Sequence, residues 1–246
     1  MKYKLMIPAA LLMTIVIMLS ACVKDPVTAD ANRPVVTSDS WSEEFDDVST
    51  LGSKGWVITN NSDNVGPEAW RQGRYESANK AAFVYNSVIG FPAYSSSKSQ
   101  NDFTSCDFYA GTNVSNMSVW LISPLIKMKN GDQLIFYTRN AIDSGSYLLK
   151  NNIDRLQVRA NIAAPSTNVG KDWTSTGDFS ALWLDINSSL TDGGYPSAWT
   201  KYTITLAGIT GTIKSRFAFR YYVPNGGPDG INAGMVGIDA LSYVSK

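Results

Sequence analysis

From Trp41 onward the chain repeats one pattern. Apolar and polar side chains alternate at every second position in short runs, and each run is broken by Gly, Asn, Asp, Pro or Ser. Leu182, Leu184 and Ile186 alternate with Trp183 and Asp185, and Tyr202, Ile204 and Leu206 alternate with Thr203 and Thr205. Phe217, Phe219 and Tyr221 follow the same rule. A period of two is the repeat of a β-strand, and no window shows the three-and-four spacing of an amphipathic helix. The alternation predicts strands over Ser42–Asp46, Gly55–Asn60, Ala81–Tyr85, Val119–Ile122, Gln133–Arg139, Arg155–Ala160, Ala181–Ile186, Lys201–Leu206, Arg216–Val223 and Met235–Val244.

One face in and one face out is what antiparallel sheets packed in pairs require. The turn residues agree. Asn130-Gly131-Asp132, between two apolar runs, predicts a hairpin, and Asp192-Gly193-Gly194 and the Pro224–Gly230 stretch predict loops. There is no internal repeat and no interior linker, so residues 41–246 read as one domain. The fold class is all-β, a single jelly-roll-like two-sheet antiparallel sandwich.

The N-terminus reads differently. Lys2 and Lys4 precede an apolar run from Leu5 to Leu19, and Leu19-Ser20-Ala21-Cys22 follows. A basic start, an apolar stretch short for a membrane span and a small-residue cleavage site predict a signal peptide over 1–21, rather than an anchoring helix. Leu-Ser-Ala-Cys resembles the bacterial lipobox, which implies lipidation of Cys22 and anchorage to the membrane through acyl chains. Val23 stands where an Asp would imply inner-membrane retention, so the expected location is the outer membrane, periplasmic or cell-surface facing. Residues 22–40 mix Pro, Ala, Asp, Thr and Ser without periodicity and read as a flexible tether. With Cys22 lipidated, only Cys106 remains, and it reads as a small buried filler.

Composition narrows the chemistry. The chain has no histidine, which excludes Ser-His-Asp and Cys-His catalysis and removes the commonest zinc and copper ligand. Acidic and basic residues balance at 21 each, so nothing favours a nucleic acid partner.

Ordered blocks along the body resemble a known family. Glu44-Phe45-Asp46-Asp47, Gly55-Trp56-Val57-Ile58-Thr59-Asn60-Asn61-Ser62 and Trp70-Arg71-Gln72-Gly73 come first. Trp120-Leu121-Ile122-Ser123-Pro124, the run from Asn130 to Arg139, and Asp154–Arg159 follow, with the Ser166–Gly170 loop behind them. Gly193-Gly194-Tyr195-Pro196, Trp199-Thr200, Arg216–Tyr221 and Gly237-Ile238-Asp239 complete the set. Together they are similar to the choice-of-anchor J domains, relatives of the cleaved-adhesin and MAM-like jelly rolls. The resemblance is strongest to members with a C-terminal sorting tail; no such tail follows Asp239, and the lipobox would supply the anchor. It implies a secreted or surface jelly roll, with adhesion among its relatives' roles and calcium in some.

Two kinds of site are expected. Glu43, Glu44, Asp46 and Asp47 crowd four carboxylates around Phe45, and in a strand Glu44 and Asp46 would share a face about 7 Å apart. Asp239 is a carboxylate in an apolar strand, and in related jelly rolls an acidic pair on the first and last strands can hold calcium. Glu44, Asp46 and Asp239 are therefore the candidate metal ligands, for structural calcium. The alternative is a solvated acidic edge with one hydrogen-bonded Asp. Exposed aromatics are the second kind: Trp173, Tyr195 and Trp199 lie in or beside polar loops and are the candidate ligand-binding residues, and Phe91-Pro92-Ala93-Tyr94 runs into Ser95-Ser96-Ser97. Asp143-Ser144-Gly145-Ser146 and Gly226–Gly230 read as ligand loops or plain turns. The acidic run resembles the Glu-x-Asp-x-x-Glu strand of laminarinase-type jelly rolls, but Ser49 stands where its last carboxylate belongs, so no catalytic residue is assigned. The expected function is a non-catalytic, envelope-anchored lipoprotein module binding a glycan, matrix polymer or adhesion partner. The competing reading is a structural or assembly lipoprotein whose partner is an envelope protein.

Overall fold

The computed structural model describes residues 39–75, 84–85, 88–141 and 153–246, with backbone alone at 84–85 and 88–89. Cys22, the 1–21 segment and the Asp143–Ser146 loop lie outside the described residues. The chain divides into Met1–Arg33 and a compact unit, Pro34–Lys246, to which every described residue belongs.

The described strands are β1 (Trp41–Glu43), β2 (Val57–Asn60), β3 (Arg71–Gln72), β4 (Val84–Tyr85), β5 (Val88–Ile89), β6 (Thr104–Asp107) and β7 (Ser115–Ile122). Then come β8 (Ile126–Met128), β9 (Gln133–Asn140), β10 (Leu156–Asn161), β11 (Ala181–Ile186), β12 (Thr200–Thr205), β13 (Ile213–Gly226) and β14 (Met235–Val244). They form a two-sheet antiparallel sandwich. The first sheet runs β12-β9-β14-β6-β3 with β1 beside β14; the second runs β11-β10-β13-β7-β2 with β8 beside β13. β4 and β5 pair separately.

Alternation decides what enters the core. Along β9, Leu134, Phe136 and Thr138 are buried, while Gln133, Ile135, Tyr137 and Arg139 are half-buried on the other side. Phe136 meets Phe219 of β13 across the sandwich, edge to face at 4.9 Å. Each such ring withdrawn from water contributes roughly 1.5–3 kcal/mol. Cys106 is fully buried, and burial pushes its thiol well up, so it acts as a filler.

The expected hairpin at Asn130-Gly131-Asp132 is a turn that joins two sheets. β8 pairs with β13 in one, and β9 pairs with β14 and β12 in the other. Gly131 supplies a positive φ of 90°, and Lys129 donates its backbone N–H and its ammonium to Asp132. The apolar runs on either side gave no signal of which sheet each would join.

The second sheet's outer face is covered rather than solvated. Trp120, Ile122, Val169, Phe179 and Ala218 form a second buried apolar cluster there. Arg220 fastens it. Its guanidinium donates to Ser118 Oγ at 2.9 Å, to the carbonyl of Trp173 and to that of Ser175 at 3.2 Å. Its charge lies 4.7 Å above the Trp120 ring and 3.8 Å above that of Tyr222.

Candidate functional site: the outer face of the first sheet

On the first sheet the outward positions line up across strands. Asp239, Tyr137 and Lys201 form one row, and Ser42, Ser242, Ile135 and Thr203 form the next. Val244, Gln133 and Thr205 follow. Apart from Asp239, these side chains are half-buried or exposed. The face is an open, hydroxyl-rich surface of β1, β14, β9 and β12.

Aromatic rings close one end of it. Tyr94, in the segment before β6, lays its ring over Tyr137 at 3.7 Å with an interplanar angle of 17°. Tyr94 is 47% exposed. Trp199 stands edge-on to Tyr94, Phe91 and Phe103, at 6.4, 5.4 and 5.7 Å, and its indole N–H donates to the Pro92 carbonyl at 2.9 Å. Phe91 and Phe103 stack at 5.1 Å beneath, with the Arg139 guanidinium 4.4 Å above Phe91. This packing depends on Gly237, because a Cβ there would lie 2.7 Å from Phe91.

The acidic corner adjoins the same rings. Asp239 is fully buried, its Oδ2 accepting the N–H groups of Tyr94 and Ser95 at 2.8 and 3.0 Å and its Oδ1 that of Ala240 at 2.7 Å. Burial pushes its carboxyl up to about 7 against these three donors, and the Glu44 charge adds to the rise. A bulge between Asp239 and Ser242 sets Ala240 at a φ of 46°. On the facing segment Phe45 holds a φ of 54°, a costly conformation for a bulky side chain.

The four clustered carboxylates separate in role. Glu43 is buried and paired with Lys54 at 2.9 Å, and Asp47 caps the 3-10 turn Val48–Thr50 through the Ser49 N–H. Glu44 and Asp46 remain half-buried around the buried Phe45. The strand ends at Glu43, so these two carboxylates follow β1 instead of lying in it as expected. Asp46 Oδ2 accepts from Ser97 Oγ at 2.9 Å, while its Oδ1 is buried with no partner among the described residues. Ser97, Lys98 and Ser99 turn their N–H groups onto Asp102. Residues 94–99 thus touch Asp46, Asp102 and Asp239 together. Among the described residues no three acidic or thiol side chains group closely enough to hold a metal by themselves.

The three predicted aromatics part company. Trp199 belongs to the ring cluster. Tyr195 is a correction: it is 2% exposed, with its hydroxyl 2.6 Å from Thr138 Oγ1, and so fills the core instead of lining a loop. Its place in a Gly-Tyr-Pro loop concealed that the loop folds inward. Trp173 lies on the opposite sheet, half-buried and stacked on Tyr222 at 5.6 Å. Tyr137 was missed in the sequence because Ile135 and Phe136 make both faces of its strand look apolar.

No family model and no curated protein matches this chain. Among solved structures, it is similar to the K1 cleaved adhesin domain of Lys-gingipain from Porphyromonas gingivalis W83, at 16% identity over 84% of this chain and 98% of that one, with a TM-score of 0.47. The K3 cleaved adhesin domain of the same protein gives 15% identity, the coverage being 84% and 98%, and a TM-score of 0.44. A family 11 carbohydrate-binding module from Clostridium thermocellum gives 12% identity over 84% of this chain and 95% of that one, with a TM-score of 0.38.

Proposed function

We propose that this chain is a non-catalytic binding module of the bacterial envelope, of the choice-of-anchor J type, anchored through a lipid on Cys22 at the outer membrane. Its ligand is a glycan or matrix polymer, taken on the outer face of the first sheet. The observation that carries this reading is the stacked Tyr94–Tyr137 pair with Trp199 at its edge, half-open to solvent beside rows of hydroxyl side chains. Aromatic faces pack against sugar C–H surfaces, and Ser42, Ser242, Thr203, Thr205 and Gln133 offer both donors and acceptors to sugar hydroxyls.

Calcium is proposed as a structural ion at the acidic corner; Glu44, Asp46 and Asp239 do not group closely enough to hold it by themselves, so backbone carbonyls or water would complete its shell. The unpartnered Asp46 Oδ1 and the buried charge of Asp239 fit a hard cation, and the donor set is all oxygen. Bound there, the ion would fix segment 94–102, and with it Tyr94.

A second reading, an envelope protein as partner, is favoured by Val65, Val114 and Ile231. These are 54%, 47% and 56% exposed on loops tied together through Asn64, Asn116 and Asn225.

The deciding experiment screens the protein against immobilised polysaccharides, with calcium and with chelator. Retention that Tyr94→Ala abolishes supports the glycan reading; silence in both conditions, with capture of an envelope protein that Ile231→Asp prevents, replaces it.

A further inference from the structure

Trp173 stands on the outer face of the second sheet, away from the surface described above. Its ring stacks on Tyr222 of β13 at 5.6 Å with an interplanar angle of 29°, and both residues are half-buried. The pair is fixed from beneath by Arg220, which donates to the Trp173 carbonyl and lies 3.8 Å from the Tyr222 ring. Two flat rings are thus held in one place with part of their surface open to solvent.

Charge beside this pair is unbalanced. Arg155, Gln157 and Arg159 share one face of β10, the face on which Gln157 stands opposite Arg220. Arg155 grips Asp185 of β11 with two bonds, at 2.8 and 2.6 Å, and lies 5.0 Å from the Tyr222 ring. Gln157 Oε1 accepts from Arg159 at 2.9 Å and from Arg220 at 3.4 Å. Otherwise Arg159 donates only to the Phe179 and Ser180 carbonyls, at 3.1 and 3.4 Å. Neither Arg159 nor Arg220 has a carboxylate partner among the described residues. Asp172 is turned onto Thr174 and Ser175, with the exposed Lys171 beside it in the chain. Burial, with the charges of Arg159 and Arg155 near by, lowers the Arg220 guanidinium to about 9, so it stays charged at neutral pH. Arg220 is covered; Arg159 is half-buried, and an arriving anion meets it first.

We infer that this face is a second binding surface and that it takes an anionic polysaccharide, one bearing uronate or sulfate groups. A sugar ring packs against Trp173 and Tyr222, and an acidic group further along the polymer meets Arg159. Arg159 lies four residues along β10 from Arg155, about 13 Å, a span that suits several linked sugars and not a single ring. The surface extends the glycan reading to the opposite sheet, yet it shares no residue with the Tyr94–Tyr137–Trp199 cluster, so either one can fail alone.

The test titrates the full chain with two matched pairs, polygalacturonate with its methyl ester and dextran sulfate with dextran, at low and at high salt. The expected result is binding to a charged polymer, weakened by salt and absent with its neutral counterpart. Polygalacturonate binding assigns a uronate, and binding to dextran sulfate alone assigns a sulfate ester. Trp173→Ala should weaken the interaction about fivefold. Arg159→Gln should weaken it to a similar extent, about fivefold, and also flatten its salt dependence. Should Arg159→Gln fail to fold, Trp173→Ala alone decides. The inference is overturned if neither charged polymer binds, if the neutral members bind equally well, or if both variants bind like the parent. It is equally overturned if Lys201→Gln, which removes an exposed charge from the first sheet, costs as much as Arg159→Gln. A loss with Tyr94→Ala would move the binding to the first sheet and overturn it too.

Discussion

Asp239 stands directly opposite Tyr137 in the ladder between β14 and β9, and the same Asp239 holds the backbone of Tyr94 through its amide. One residue thereby meets both halves of the stacked tyrosine pair, its backbone beside Tyr137 in the ladder and its carboxylate on the Tyr94 N–H. The aromatic end of the open face and the acidic corner are mechanically one unit.

The Tyr94 ring is the most exposed part of that unit. Tyr94→Ala should leave the melting temperature nearly unchanged while weakening polysaccharide binding by about 5- to 30-fold, the equivalent of roughly 1–2 kcal/mol. Titration calorimetry against the best polymer from the screen measures it. A melt lowered as much as the affinity would show the ring to be packing only.

Stability should depend on pH through Asp239. Its folded value of about 7 lies above the ordinary 3.8, so the folded form binds the proton more tightly. Without a cation, this group stabilises the fold fully below about pH 4 and loses that contribution as pH rises through 7, by an amount on the order of 2–4 kcal/mol. Calcium competes with the same proton, so its gain in melting temperature should be large at pH 8 and small at pH 5. Melts at both values, with calcium and with chelator, check the sign; a calcium gain independent of pH would remove Asp239 from the site.

Asp132 works in the other direction. It accepts from Lys129, the Tyr243 hydroxyl and the Lys246 N–H, and these partners outweigh burial and hold it down at about 2. Its contribution is present above pH 3.8 and disappears as pH falls through 2. Asp132→Asn should therefore shift the acid-unfolding midpoint upward; circular dichroism across pH 1.5–5 reads it.

Gly237→Ala is a probe of the ring cluster from below. The added Cβ would meet Phe91 at 2.7 Å and Phe103 at 3.0 Å. The expected cost is about 1–3 kcal/mol from overpacking, with polymer affinity falling as Phe91 and Trp199 shift. Denaturant melts and binding on the same sample separate the two effects.

On the opposite sheet, Arg220→Ala leaves the Trp173 and Ser175 carbonyls without their donor. Segment 162–180, with Val169 and Phe179, should loosen from Trp120, Ile122 and Ala218, and trypsin should cut after the exposed Lys171 much faster than in the parent protein. Polymer binding on the first sheet should survive.

The fold was legible wherever alternation ran long. Ala181–Ile186 and Met235–Val244 have the boundaries that periodicity predicts. β6 and β3 are short and carry no contrast between their faces: every residue of Thr104–Asp107 is buried, so a two-residue period has nothing to show, while β8 alternates but is only three residues long. The site was half legible. Trp199 and Asp239 stand out by residue type, but their meeting depends on Tyr94, which reaches Tyr137 through a segment distant in sequence. Trp173 reads as equally promising, and only the sheet assignment sends it to the other side. Tyr195 misled because a polar loop can still fold its one ring inward.

β1 is only three residues long, and its first residue, Trp41, pairs with Tyr243 near the other end of the chain. Any pull arriving through the residues before 39 reaches the sandwich at this point. Three pairs on β14 offer a short ladder to resist it. The greater hold comes from Trp41 itself, its ring lying 6.2 Å from Tyr243 and 6.3 Å from Phe217 in near-parallel stacks. Trp41 thus ties the start of β1 to both sheets at once, and a pulling experiment applied through the N-terminal side should register its loss as a lower rupture force before any binding surface is disturbed.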